Sequence, residues 1–422
     1  MQNRRKIEKI QIKLESLKQQ GFYYGALLYA FLIPFPQRII NIALMVWVVL
    51  SLVSCNKSTL VKAKYLWLLP AFYFLYFIGF LTSETMSFKF LEYKLSLLIF
   101  PLLFFLCTYN ETQRNRIFKI FIWGLLTSAI TLFVIAFYNS FQIRNGVFIF
   151  QPNVMEGRGF IESILYGGNY FFGRYLSIFH QTVYYAMYLC AGVAVLLFAP
   201  KMFSTKLRTC LLGIFLIFIF LVSNKASFIA LALILILKLY TWNVNRSKKA
   251  IGVTLFAMML AAFVFLNPRI KESVFNIVEG KMMLNKEVRY GFATRLLSWD
   301  AAISLIKERP VFGYGHTATQ AALNKKYQEE GYIFPLKESY NAHNLWLQSW
   351  LENGLLAIII LFGIFLVLFQ KSWHNPLFLA FVLLLLTNSL FEGMFNRFSG
   401  ISFFSFLVCF IFSAAKGGLV EE

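Results

Sequence analysis

Apolar runs of membrane-spanning length follow one another along almost the whole chain, and one long polar stretch, residues 267–344, interrupts them. The runs read at 21–35, 39–55, 65–81, 95–108, 118–138, 183–198, 208–222, 226–240, 251–266, 345–369, 376–390 and 400–415. A helix rises about 1.5 Å per residue and the hydrocarbon core is about 30 Å thick, so roughly 20 apolar residues cross it, with tilt and ragged ends allowed for. The expected fold is an all-α polytopic membrane protein with about 12 transmembrane helices and one large helical loop. Composition agrees. The 422 residues are 59% hydrophobic and only 14% charged, with a mean hydropathy of +0.65, against roughly 45–50% and about 25% in soluble domains.

The formal net charge of +21 points to membrane topology rather than to nucleic acid, because short cytoplasmic connections collect Lys and Arg. Residues 1–20 carry Arg4, Arg5, Lys6, Lys9, Lys13 and Lys18, and 56–64 carries Lys57, Lys62 and Lys64. Threading the runs alternately places Arg114, Arg116, Lys119, Lys201, Lys206, Arg208, Arg246, Lys248, Lys249 and Lys371 on the same side as that N-terminal segment. Both termini are then cytoplasmic, with 1–20 a basic segment lying against anionic headgroups and 416–422 a short tail. Nine spans fall within 21–266, three within 345–415, and the loops 139–180 and 267–344 face outward.

The N-terminal segment is too charged for a cleavable signal peptide, and no small-residue cleavage site follows 21–35. The five cysteines lie in or at the ends of apolar runs without metal-ligand spacing, so no disulfide framework, metal site or cofactor is expected. No internal repeat relates the two halves, which counts against an inverted-repeat transporter.

Inside 267–344 the apolar residues of 293–306 recur at three and four, predicting a helix stopped by Pro310. Thr294 is the expected N-cap, with Arg295 in the first turn, where free N–H groups and the helix dipole favour an anion. A cation there either meets an anionic partner or snorkels to phospholipid headgroups. Next, Gly313-Tyr314-Gly315 makes a tight turn rather than a nucleotide fingerprint, since no strand precedes it. His316 reads as a turn or surface residue, and a second surface helix is predicted over 317–330, closed by Gly331. Asn344 can cap the following span, while Trp346 and Trp350 suit an interfacial belt. His343 would therefore sit beside a helix N-terminus at the outer boundary, where a neutral imidazole can accept a proton from a hydroxyl. Glu352, about two turns into that span, is the main mid-span charge, one helical turn below Gln348.

These residues carry a resemblance. Arg295 and Trp299, Pro310-Val311-Phe312-Gly313-Tyr314-Gly315, Ala342-His343-Asn344 and Glu352-Asn353-Gly354-Leu355-Leu356 together resemble the signature of the O-antigen ligase/polymerase family. Gly173-Arg174, Phe179-His180 and Asn388-Ser389-Leu390-Phe391-Glu392 extend the likeness, which covers roughly 170–415. The family comprises bacterial inner-membrane enzymes acting on undecaprenyl-diphosphate-linked glycans at the periplasmic face. The resemblance implies a metal-independent glycosyltransferase in which His343 serves as base and Arg295 binds diphosphate. The family's second arginine belongs to a short outer turn, and Lys225 occupies that place here, in Ser223-Asn224-Lys225. Lys keeps the charge but loses the planar fork that grips phosphate oxygens in pairs, so either Lys225 or Arg174 supplies the second cation. His180, His316, Asn344 and Glu352 are secondary candidates.

Three functions remain open on sequence. A ligase would move a glycan from undecaprenyl diphosphate to a lipid A–core acceptor, and a polymerase would join repeat units on the lipid carrier. A polyprenyl-glycan flippase or other transporter would show charges within its spans and internal symmetry. The ligase reading leads. Its partners are the lipid-linked glycan, a lipid A–core or glycan acceptor and membrane lipid, with no nucleic acid.

Overall fold

The computed structural model describes residues 20–54, 64–81, 88–107, 109–144, 146–155, 157–165, 168–271, 275, 286 and 292–414. The basic N-terminal segment up to residue 19, the connection 55–63, most of 272–291 and the tail from 415 lie outside the described residues.

The apolar runs fold as helices. In order they are α1 (20–32), α2 (Gln37–Ser54), α3 (Leu68–Leu81), α4 (Phe88–Lys94), α5 (Ser96–Leu106) and α6 (Glu111–Ser140). Two short helices, α7 (Phe160–Leu165) and α8 (Gly173–Leu176), precede α9 (Thr182–Phe198), α10 (Thr205–Val222), α11 (Lys225–Thr241) and α12 (Arg246–Leu266). Among the described residues, six helices are long and apolar enough to cross a membrane, and four shorter apolar helices accompany them. The chain is an all-α polytopic membrane protein. One departure is a hairpin within 139–180, β1 (Phe141–Arg144) against β2 (Val147–Phe150), antiparallel with Phe141 opposite Phe150. Aromatic and β-branched residues suit a strand, and four-residue strands are too short to stand out beside apolar spans.

Local chemistry fixes several helix starts. Asn110 and Gln113 form a reciprocal capping box at the start of α6, and Asn224 caps α11 by accepting from the Ser227 N–H. The bundle centre is α9 together with the last helix, α19 (Phe398–Phe412), whose residues are almost all buried. α12 lies at the rim and buries none of its residues.

The polar stretch is helical over 268–271 (α13), and its described part resumes as α14 (Phe292–Glu308), α15 (His316–Glu330) and α16 (Ile333–Lys337). These three have a small core of their own: Leu297, Ala301, Leu305, Leu323 and Tyr327 close on Leu351 of α17 (Leu345–Ser372). Each such side chain contributes about 1.5–3 kcal/mol by leaving water. Tyr332 donates to Asp300 at 2.6 Å and Tyr327 to the Tyr340 carbonyl at 3.0 Å, satisfying both hydroxyls at the edge of that core. The α14 start differs from expectation. The helix already runs at Phe292, so Thr294 is not its cap but lies inside it and accepts from Ser298 Oγ at 3.2 Å. Phe292 and Ala293 offer no break that would delay it.

The polar stretch is seated on α17 through two glycines. At Gly354 the helix breaks, with φ 69° and ψ −163°, and a Cβ there would run into the Val311 carbonyl. A Cβ at Gly313, with φ 68°, would likewise meet the Leu351 carbonyl, though less closely. Backbone bonds join the two: Tyr314 N to Leu351 O at 2.7 Å, and Leu355 N to Val311 O at 3.0 Å. Trp350 adds a bond to the Pro310 carbonyl at 2.8 Å, and Trp346 bonds Ser389 of α18 (Pro376–Phe391) at 3.0 Å. Both indoles thus tie elements of the protein together, a use beyond the interfacial belt expected of them.

Candidate functional site

Three elements meet where the last spans end beneath α14. Asn344 caps α17, accepting from the Trp346 and Leu347 N–H groups at 2.9 and 3.1 Å. The residue before it, His343, is held at φ 44°, a left-handed conformation uncommon outside glycine. Asn341 supports that turn by accepting the His343 N–H at 2.8 Å, and Tyr340 packs edge-on against the imidazole. Arg295, on the first turns of α14, is partly buried.

What joins His343 to Arg295 is Glu392, the residue that ends α18. His343 Nδ1 lies 3.4 Å from Glu392 Oε1, and Arg295 Nη2 lies 3.7 Å from Glu392 Oε2. Burial acts to raise the Glu392 pKa, but the facing imidazole and guanidinium outweigh it, and the carboxyl ends below its ordinary range. The result is a base candidate and a cation meeting at one ionised carboxylate.

Lys225 opens α11, which packs along α18. α10 and α11 are joined by the turn at Ser223 and Asn224, and Lys225 is the first residue of α11. That turn is anchored to the start of the polar stretch. Ser223 Oγ donates to Asn267 Oδ1 at 2.9 Å, and Asn267 Nδ2 donates to the Phe220 carbonyl at 2.9 Å. Arg174 is exposed on α8, its guanidinium over the neighbouring Tyr175 ring at 4.9 Å and bonded to that hydroxyl at 3.0 Å. Beside it, Arg269 of α13 packs against Gly173 so closely that a Cβ at Gly173 would meet Arg269 Nη1.

Three of the secondary candidates, His180, His316 and Glu352, sit elsewhere. His180 is buried with Nδ1 2.9 Å from Ser399 Oγ, and burial pushes its pKa down to about 4, so it is a neutral tie between the starts of α9 and α19. His316 is not a simple surface residue. It begins α15, stacks on Phe90 of α4 and brings Nδ1 to 3.3 Å from Glu352 Oε1. Gln348 donates to the same Glu352 oxygen at 2.7 Å, the partner that the helical spacing predicts.

The chain is thus a polytopic helical membrane protein that gathers an imidazole, a carboxylate and a guanidinium around the end of α18. Residues 210–362 match the family model Wzy_C, O-antigen ligase, so this segment is similar to that family. The match is narrower than the resemblance drawn over 170–415. It includes Lys225, Arg295, His316, His343, Asn344 and Glu352, and leaves Arg174, His180 and Glu392 outside. No curated protein matches the chain. Among the described residues no group of three or more His, Cys, Asp and Glu is placed to hold a metal ion.

Glu392 is the member of this cluster that reasoning from sequence missed as a site residue. A signal was present, since it is the acid standing at the end of the apolar run 376–390. An ionisable group at such a place is costly to keep without a partner.

Proposed function

We propose that this protein is a glycosyltransferase of the O-antigen ligase type, moving a glycan from undecaprenyl diphosphate to a lipid A–core acceptor at the periplasmic face of a bacterial inner membrane. The observation that carries the reading is the convergence of His343 and Arg295 on Glu392. With Nδ1 turned to the carboxylate, the imidazole favours the tautomer that leaves Nε2 to take a proton. The acceptor hydroxyl gives its proton to His343 Nε2 and its oxygen bonds to the anomeric carbon. The bond from that carbon to the diphosphate oxygen breaks, its electron pair leaving with the lipid diphosphate.

Arg295 stabilises the charge gathering on that leaving group, and Lys225 adds a second cation from the α10–α11 turn. Arg295 is already paired with Glu392 and therefore arrives oriented. Glu392 is a positioning residue: it holds imidazole and guanidinium at a fixed separation and is not itself asked to react.

The test is transfer in liposomes, with purified protein, lipid-linked glycan and acceptor. His343→Ala and Arg295→Ala are each expected to insert normally and to abolish transfer. Near-normal transfer by His343→Ala would remove the base assignment. Deleting the gene separates the ligase from the polymerase. Loss of ligation leaves lipid-linked polymer and bare core, whereas loss of polymerisation leaves core carrying a single repeat.

A further inference from the structure

A second site adjoins the 341–344 turn through Asn341. A cavity of about 310 Å³ lies between α4 and the start of α17, with Lys94, His316, Asn341, Gln348, Glu352 and Phe395 in its wall. Neither His343, Arg295 nor Glu392 lines it. Glu352 is 3% exposed; its Oε1 is taken by Gln348 and His316, while Oε2 is buried with no hydrogen-bond partner. A buried carboxylate oxygen without a donor is rare enough to require an explanation. Lys94 is 1% exposed, bonded to the Phe395 carbonyl at 2.6 Å and set over the rings of Tyr76 and Phe90 at 4.6 and 5.0 Å. A fixed acceptor, a fixed cation, two side-chain amides and aromatic walls are the features of a site for a polyhydroxylated ring.

Glu352 also forms part of a second, larger space. A groove of about 1130 Å³ runs between α3 and α17, bordered by Leu75, Ile78, Phe312, Leu355, Leu356 and Ile359. Phe312 is 87% exposed at its rim. A polar chamber and an apolar groove meeting at one buried carboxylate suit an amphiphile with a sugar head and a hydrocarbon tail.

We infer that these joined cavities seat the acceptor glycolipid, its saccharide in the chamber against Glu352 and Lys94 and its hydrocarbon chain along the α3–α17 groove. The inference rests on the glycosyl-transfer reading above. It assigns the acceptor rather than the donor because none of the cations assigned to the diphosphate, Arg295, Lys225 or Arg174, lines the chamber. Asn341 lines the chamber and accepts the His343 N–H at 2.8 Å, so a hydroxyl seated there approaches the base past Asn341. A chain of bonds links the chamber to that turn: Glu352 to Gln348, and Gln348 Oε1 to the Ala342 N–H at 3.0 Å.

The experiment uses full-length protein in lipid nanodiscs, with rough lipopolysaccharide lacking O-antigen as acceptor probe and undecaprenyl-diphosphate-linked glycan as donor. Glu352→Gln is expected to raise the acceptor KM and weaken direct probe binding about tenfold while leaving the donor KM in place. Lys89→Ala, an exposed side chain at the chamber's mouth, should shift the same two quantities severalfold in the same direction, and it serves should Glu352→Gln fail to fold. Arg295→Ala should lose transfer yet bind the probe as the wild type does. Unchanged probe affinity in both chamber variants overturns the inference, as does an equal rise in both KM values. Should wild-type protein transfer nothing yet bind the probe in a Glu352-dependent way, the transfer reading fails and the glycolipid site stands.

Discussion

His343 Nδ1 and Glu392 Oε1 lie 3.4 Å apart, joining the turn before α17 to the end of α18 across 49 residues of sequence. A carboxylate behind an imidazole sets its tautomer and steadies the imidazolium formed once a proton has been taken. Glu392→Gln should therefore lower kcat by about tenfold to a hundredfold with little change in either KM, and Glu392→Asp should recover part of the loss. His343→Ala should cost more, about 10²–10⁴-fold. The measurement is initial transfer rate in proteoliposomes. A Glu392→Gln enzyme with an unaltered kcat would reduce the carboxylate to a packing role.

The same carboxylate makes stability depend on pH. Its folded pKa lies below the ordinary value, about 4.3 for an unperturbed Glu. The stabilisation is then fully present above that value and is lost as pH falls through the folded pKa. Glu392→Gln should unfold earlier than wild type at pH 7, by about 1–3 kcal/mol, and the gap should narrow as pH drops below about 4. Thermal unfolding in detergent at a series of pH values reads this directly, and a gap that widens on acidification would contradict the sign.

Much of the fold was legible because lipid imposes a coarse rule: long apolar runs must become helices. The positions of α9, α10, α17 and α19 follow from run length alone. Within the polar stretch, periodicity located α14 and α15, and Asn344 behaved as the cap that its side chain allows. Pairings between distant segments were not legible. Glu392 meets His343 and Arg295, and His316 meets Glu352, only because α14, α15, α17 and α18 pack together. No spacing along one chain encodes such meetings. Thr294 misled for the opposite reason: a residue type that suits a cap was read locally, while the helix already ran through it.

Lys225 stands where a planar guanidinium would bind more firmly. If it contributes charge to the diphosphate, Lys225→Ala should cut transfer at least tenfold, chiefly through a raised donor KM, and Lys225→Arg should preserve it. Donor titrations at fixed acceptor separate these effects. An unchanged rate in Lys225→Ala would pass the role to Arg174, whose exposed guanidinium over Tyr175 is the alternative. Arg174→Ala run alongside makes the choice explicit.

Gly354 carries the seat of the polar stretch, and its substitution should damage stability and transfer together. At φ 69° an L side chain is strained by about 1–3 kcal/mol, and a Cβ would collide with the Val311 carbonyl that accepts from Leu355 N. Relief requires the 310–315 turn to lift, breaking the Tyr314 N to Leu351 O bond and carrying α14, with Arg295, away from Glu392. Gly354→Ala should thus lower the unfolding temperature and also reduce transfer at temperatures where the protein remains folded. The control is a substitution at Gly363, on the same helix, where a Cβ meets nothing within 4 Å. Gly363→Ala should leave both quantities near wild type. If Gly354→Ala were as benign as Gly363→Ala, the docking of the turn on α17 would not be what holds Arg295 in place.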